Sequence, residues 1–350
     1  KIVSTVQQHR QNPHSPVLDL LAGPGLVCRH FLRQGVSKVV ALDTHQECLH
    51  LLKEVQQEFG SERFHFFNWS VVNLYLKLHA AGNSDRVKAY HEMESQVVRL
   101  LQQATQLRTD VPYSIVCIGD KNNNENFIFY VLRNLPNEDP ILSHGRVEFF
   151  FLAHPKLKQK LDYIANIQKS SSGVSSVTRD KTGSTYFGYI HAMIHLFYDV
   201  EVLEQFNADD FSPPFSSSRS RQNKDIDHSK RLLVRMQLKK NVDDILPLHH
   251  HTPFLHFLNQ VYKKKALRTI PALEMLMPGC GLRMLADGFT MMDIIIRSNP
   301  EEFVKLYKSA IHWPEFVSSP LHNYIMMKLT GSAAESGLSD EEAHLDNESG

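Results

Sequence analysis

A predominantly parallel α/β sheet followed by a small all-helical domain is the architecture this sequence predicts, and three observations predict it. Short apolar runs of strand length alternate with helical patterns along the first part of the chain. Beyond about residue 246 only helical periodicities remain. The last twenty residues, "GSAAESGLSDEEAHLDNESG", then hold six acids and no Lys or Arg. At 350 residues the chain has room for two domains, each able to bury a core. The expected boundaries are 1–245 for the α/β domain, 246–330 for the helical domain and 331–350 for an acidic, disordered tail.

The expected strands are Val17–Leu20, Val39–Leu42, Phe64–Phe67, Tyr113–Cys117, Val147–Leu152, Val200–Leu203 and Leu232–Leu238. Helical patterns at Val27–Gln34, Cys48–Phe59 and Val97–Leu107 separate several of them, and Leu74–Asp110 is long enough to hold an insertion. Polar, Gly/Ser-rich stretches near 122–126, 169–184 and 212–230 read as mobile loops. In the helical part, "TPFLHFLNQVYKK" offers Thr252 as N-cap and Pro253 at the first helical position, with Phe254, Phe257, Leu258 and Val261 on one face. "NPEEFVKLYKSAIH" repeats the device with Asn299 and Pro300, and places Glu301 and Glu302 at the positive helix end.

Composition excludes several classes. Lys plus Arg equals Asp plus Glu at 38 each, yet without the acidic tail the body carries 38 bases against 32 acids, a modest lean toward polyanions. The four cysteines stand far apart with no CxxC pair, against a disulfide framework or structural zinc. No apolar run approaches the roughly 18 residues of a membrane helix, so no membrane partner is expected. The first residue is Lys rather than Met, which leaves the expectation of a removed N-terminal segment such as a targeting peptide.

The stretch "DLLAGPGLVCRHFLRQGVSKVVALD" carries the chemistry. A strand ending in an acid, a Gly-rich turn, a helix and a second strand ending in an acid is how a Rossmann-like unit holds an adenosine-containing cofactor. Glycines let the backbone approach the ligand, and the second acid accepts from ribose hydroxyls. Asp19, Gly23, Gly25 and Asp43 occupy those places, with Asp43 eighteen residues beyond Gly25. The plainer alternative is a tight Gly-Pro-Gly turn.

The order of motifs resembles the rRNA adenine N6-dimethyltransferase family, whose first motif reads like "LEIGPGLGALT". "LDLLAGPGLVC" keeps the acid as Asp19 and two family glycines as Gly23 and Gly25, but Leu21 stands where the family has its first glycine. A leucine there would crowd the methionine end of the cofactor. "VVALD" gives Asp43 the ribose-binding role by position, and "RFHFFNWS" puts Asn68 where the family has an adenine-contacting acid. The fourth motif departs furthest. Where the family closes a strand with an Asn-x-Pro-aromatic element that holds and stacks the flipped adenine, this chain reads "SIVCIGDKNNNEN". The catalytic element is missing, and no catalytic residue is assigned.

Four further stretches, "HGRVEFFFLAHPKLKQKL", "HAMIHLFYDVEVLEQFNADDFSPPF", "TPFLHFLNQVYKKK" and "NPEEFVKLYKSAI", are similar to the mitochondrial transcription factor B group of that family, on its initiation-factor branch. The resemblance implies a class I S-adenosylmethionine-dependent methyltransferase fold with a helical C-terminal domain, located in the mitochondrial matrix nucleoid. It implies a transcription initiation factor that joins the mitochondrial RNA polymerase to melt promoter DNA, with no cofactor required and residual S-adenosylmethionine binding through Asp19, Gly23, Gly25, Asp43 and Asn68. The alternatives are an rRNA adenine dimethyltransferase using S-adenosylmethionine and an RNA-binding assembly factor.

Two basic stretches are candidate phosphate-contacting surfaces. Residues 219–240 hold eight bases against two acids, with Arg231, Arg235, Lys239 and Lys240 expected to reach nucleic acid; "KKKALR" adds Lys263 and Lys264. Each has a plainer reading as a solvated loop or helix end. "HHH" at 249–251 suggests a metal only superficially, since adjacent histidines do not share a helix face. Cys28 beside His30 and Cys48 beside His50 read as helix packing, and Phe127 and Phe129 as burial ahead of base stacking.

Overall fold

A computed structural model of the chain describes residues 1–69, 84–101, 111–119, 131, 141, 146–155, 188–211, 227, 229–295 and 298–330. The expected loops at 122–126 and 169–184, nearly all of that at 212–230, Phe127, Phe129 and the acidic tail lie outside them.

Seven strands form one sheet: β1 (Val17–Asp19), β2 (Val39–Asp43), β3 (Phe64–Asn68), β4 (Ser114–Cys117), β5 (Glu148–Ala153), β6 (Tyr198–Asn207) and β7 (Lys230–Leu238). Their order is β3-β2-β1-β4-β5-β7-β6. β1 to β5 run parallel, and β7 is antiparallel to both β5 and β6. Every residue of β1, β2, β4 and β5 is buried, which is why these strands read as continuous apolar runs. β6 lies at the edge with Glu201, Glu204 and Gln205 among its ten residues, so only its middle shows as a strand in sequence. The strand order reverses between β1 and β4, and in open α/β sheets ligands bind at such a switch point, beyond the carboxyl ends of the strands.

Helices α1 (Ile2–His9), α2 (Leu26–Arg33), α3 (Gln46–Phe59) and α4 (Ser84–Leu101) accompany the first strands. Val6, Phe31, Val55, Phe64 and Phe150 are buried in one core with Val39 and Leu233. α3 stops at Gly60, whose φ of 81° favours glycine. Arg29 and Arg33 of α2 meet Glu54 and Glu58 of α3 in surface pairs of small energetic weight.

The remaining helices are α5 (Tyr189–Phe197), α6 (Val242–Ile245), α7 (His251–Tyr262), α8 (Thr269–Glu274), α9 (Gly281–Ala286), α10 (Pro300–Ala310), α11 (Pro314–Val317) and α12 (Pro320–Thr330). The chain divides into two compact units, one of Lys1–Pro155, Tyr198–Ser217 and Asp227–Lys240, the other of Lys156–Phe197, Ser218–Ile226 and Asn241–Gly350. α5 therefore belongs with the helices although it precedes β6 in the chain. Its Phe197 stacks on His251 and meets Phe254 of α7 edge-on.

α10 starts as its sequence demands. The Asn299 side chain accepts from the Glu301 N–H at 3.1 Å, and Glu302 accepts from the Asn299 N–H at 3.1 Å. α7 differs from expectation. A 3-10 turn (Leu248–His250) feeds directly into it, so the helix begins at His251 and Thr252 lies inside the first turn rather than capping it.

The amino ends of the strands are tied by buried polar groups. Arg10, after α1, donates to the carbonyls of Pro13, Ser15 and Pro16 and to the hydroxyls of Ser15 and Ser114 at 2.6 to 3.2 Å. Glu148, fully buried at the start of β5, accepts from the Gln11 N–H and from Arg235 of β7, the latter at 2.6 Å.

Candidate cofactor crevice and nucleic-acid surfaces

At the opposite, carboxyl ends of the strands, Asp19, Asp43 and Asn68 close β1, β2 and β3. The parallel register sets Asp43 beside Asn68 and Asp19 beside Ala41. The turn after β1 holds Gly23 and Gly25 at φ 52° and 77°, a left-handed pair that lets the chain reverse and start α2. A Cβ on Gly25 would sit 2.8 Å from Val55 Cγ2, so this glycine permits close packing against α3, whereas a Cβ on Gly23 would meet nothing within 4 Å. Gly23 faces open space, as backbone that approaches a ligand would.

Asp43 is buried and already engaged. One carboxylate oxygen accepts from the Gly23 N–H at 2.8 Å; the other lies 2.7 Å from the His45 N–H and 2.8 Å from His45 Nδ1. Three of the roughly four lone-pair positions of this carboxylate thus face partners from its own chain. The His45 ring itself is largely exposed.

Asp19 is more deeply enclosed. Its oxygens accept from the Leu21 N–H and the Cys28 thiol, each at 3.3 Å. Burial pushes its carboxyl up to about 6; the bonds from Cys28 and Leu21 oppose that rise and the Asp43 charge adds to it. Burial, then the Asp19 charge, also holds the Cys28 and Cys117 thiols far above their ordinary value. Neither supplies a thiolate nucleophile.

Leu21 supplies the feature that sequence spacing could only suggest. Its side chain lies against the backbone of Gly119, two residues past β4, so closely that a Cβ on Gly119 would overlap Leu21 Cδ1. The space between the first turn and the end of β4 is filled by leucine. Gly23 and Asp43 thus lie together at one part of this crevice, and Leu21 packs against Gly119 at another.

The basic candidates separate. Arg231 is buried in β7, donating to the Lys230 carbonyl at 2.8 Å. Arg235 is bound to Glu148 and lies 3.7 Å from Glu201. Lying four residues apart on one strand, these two expected phosphate-contacting residues project to the same side of the sheet, Arg231 buried and Arg235 partly exposed and tied to a buried carboxylate. Lys239 and Lys240 follow β7, half-buried and exposed respectively. Lys263 and Lys264 stand just after α7, in the other unit. There Lys263 Nζ is 5.9 Å from the Tyr324 ring, Lys328 Nζ is 5.7 Å from it, and His256 meets the same ring edge-on at 6.2 Å. Sequence reasoning missed Tyr324 and Lys328, which lie in α12, far along the chain from Lys263. It also missed His45 and Gly119. A histidine two residues past a ribose-type acid was the available signal for the former.

Among the described residues no group of three or more His, Cys, Asp or Glu side chains could hold a metal ion. No helix among them is long and apolar enough to cross a membrane.

Five parallel strands in the order 3-2-1-4-5, extended by an antiparallel 7-6 hairpin, with a Gly-rich turn after β1 and acids closing β1 and β2, make this the Rossmann-like class I S-adenosylmethionine-dependent methyltransferase fold. No family profile matches the sequence, and no curated protein matches it. Among solved structures, the chain is similar to the 23S rRNA methyltransferase ErmE (13% identity over 88% of this chain and 95% of that one, TM-score 0.47). It is also similar to a dimethyladenosine transferase from Plasmodium falciparum (12% identity over 94% of each chain, TM-score 0.48). An rRNA methylase from Streptococcus thermophilus covers less of this chain, 68%, at 11% identity and TM-score 0.29.

Proposed function

We propose that this chain is a mitochondrial transcription initiation factor built on an rRNA-methyltransferase scaffold that no longer transfers methyl groups. The observation that carries the reading is Leu21 packed on Gly119, together with a strand β4 that runs into "IGDKNNNEN" without a Pro-aromatic element. Catalysis requires reacting groups held in place, and Leu21 packed on Gly119 supports the reading that this place is lost. The resemblance of four stretches to the mitochondrial transcription factor B group supports the initiation role. With the mitochondrial RNA polymerase, the protein would hold promoter DNA open in the matrix nucleoid.

Its physical task is to offset the unstacking of separated strands, for which lysines beside an aromatic ring are suited: base stacking contributes about 1–3 kcal/mol per base, and lysines pair with phosphates. Lys263, Lys328 and Tyr324 supply that combination in the helical unit. The retained nucleoside half of the crevice, Gly23, Asp43 and Asn68, leaves weak S-adenosylmethionine binding as a remnant.

Pull-down with mitochondrial RNA polymerase, combined with transcription from a linear promoter template, tests the proposal. It predicts polymerase binding and chain-dependent initiation that survives Asp43→Ala. RNA binding without polymerase binding would point instead to an assembly factor.

A further inference from the structure

The histidine run 249–251 has no part in the function described above, and its three rings are not equivalent. His251 turns inward, with Nε2 2.8 Å from the Leu246 carbonyl and its ring 4.4 Å from Phe197. His249 and His250 do not follow it. Their rings lie against each other, tilted by 43° with centroids 4.2 Å apart. His250 is half-buried, and its Nδ1 lies 3.4 Å from the Tyr307 hydroxyl of α10. Burial raises the Tyr307 phenol well above its ordinary value, so it stays protonated. In the tautomer in which Nδ1 of His250 accepts from this hydroxyl, Nε2–H is the remaining donor.

Lys308 follows Tyr307 directly in α10, and His312 lies in the turn just past the end of that helix. Both are exposed, as is His249. His249 from the 3-10 turn and Tyr307 from α10 lie against His250, and Lys308 of α10 and His312 of the turn that follows act on it electrostatically. Those that act on its charge are all bases. Burial first, then His249, His312 and Lys308, hold the His250 imidazole below its ordinary value. Like charges brought together in this way are costly unless an anion lies among them.

We propose that His249, His250, Lys308 and His312 form a binding site for an oxyanion of the phosphate class, filled with uptake of a proton. A bound anion reverses the repulsion on His250 and raises its affinity for a proton, and linkage makes the effect reciprocal. Binding tightens as pH falls, by about tenfold per pH unit while one proton is taken up. The window lies between the depressed midpoint of free His250 and its raised midpoint in the complex. Above that window the ring is neutral in both states and the dependence ends.

Sodium sulfate is the first probe, because it does not titrate between about pH 5 and 8, where histidine does. The readout is the histidine ring resonances of the full chain, with sodium chloride at matched ionic strength as reference. Sulfate should raise the His250 midpoint, and Lys308→Gln and His312→Gln, both at exposed positions, should each weaken sulfate binding several-fold without changing the thermal midpoint. A His250 midpoint that moves equally in sulfate and chloride, or affinities unchanged in both variants, would overturn the site. A short oligothymidylate is the second probe. If it shifts the same resonances, the natural occupant is a nucleic-acid backbone phosphate; if only sulfate does, it is a free phosphate-class anion. Neither arm depends on transcription, so this site and the initiation role can fail separately.

Discussion

The two ends of the sheet use buried polar residues to opposite effect. At the amino ends, Arg10, Ser114, Glu148 and Arg235 donate and accept among themselves and to the loop before β1, joining strands that are distant in sequence. At the carboxyl ends, Asp19, Asp43 and Asn68 close neighbouring strands as two acids and an amide, and a Cβ on Gly23 would meet nothing within 4 Å. A polar group that serves the fold is surrounded by complementary partners. At the carboxyl ends the two acids are met instead by backbone N–H groups, the Cys28 thiol and the His45 ring, and Leu21 packs against Gly119.

Four perturbations sharpen or break this contrast. The largest effect is expected at the amino end. Glu148→Ala leaves Arg235 facing a buried void and should cost about 3–5 kcal/mol in urea unfolding. A loss as small as that of an exposed pair would mean that the network is incidental. Asp19→Asn should do the opposite. The folded carboxyl titrates near 6 and the ordinary one at 3.8, so the native state binds more protons between these values and its stability falls as pH rises through them. Removing the charge should stabilise the protein by about 2–3 kcal/mol at pH 7, with little gain near pH 3. Stability curves of the two proteins that stay parallel from pH 3 to 7 would refute the burial argument.

Leu21→Gly should open the crevice and tighten S-adenosylmethionine binding about tenfold, equivalent to about 1.4 kcal/mol, while adenosine binding changes little. Equal gains for both ligands in calorimetry would show that leucine does not select against the tail. The smallest effect separates the two classes of base. Lys263→Ala should reduce the salt slope of single-strand binding by about 0.7 and leave stability unchanged. Arg235→Ala should lower stability and leave that slope alone. A reversed outcome would return Arg235 to the nucleic-acid surface.

Much of this was legible in sequence, for physical reasons. Fully buried parallel strands show as unbroken apolar runs, so β1 to β5 were found within a residue or two. The Gly-Pro-Gly stretch marked the turn after β1, where both glycines take positive φ and Gly23 donates to Asp43. α5 escaped because Ile190, Ala192, Met193, Ile194, Leu196 and Phe197 are all buried, and a helix covered all round shows no amphipathic stripe. The carboxylate partner of Arg235 did not show in sequence, because positive charge in a sequence does not display what it pairs with. Glu148, an acid inside the apolar run "VEFFFLA", was the sign that a base would have to join it. The contact between Leu21 and Gly119 joins residues 98 positions apart, so only the folded chain displays it.

The most direct measurement is methyl transfer from S-adenosylmethionine to a small-subunit rRNA adenine hairpin by the purified chain, with Asp43→Ala as control. A scaffold closed at Leu21 and lacking the Pro-aromatic element should give no transfer above the control. Dimethylated adenine formed by the unaltered chain and abolished by Asp43→Ala would contradict the account.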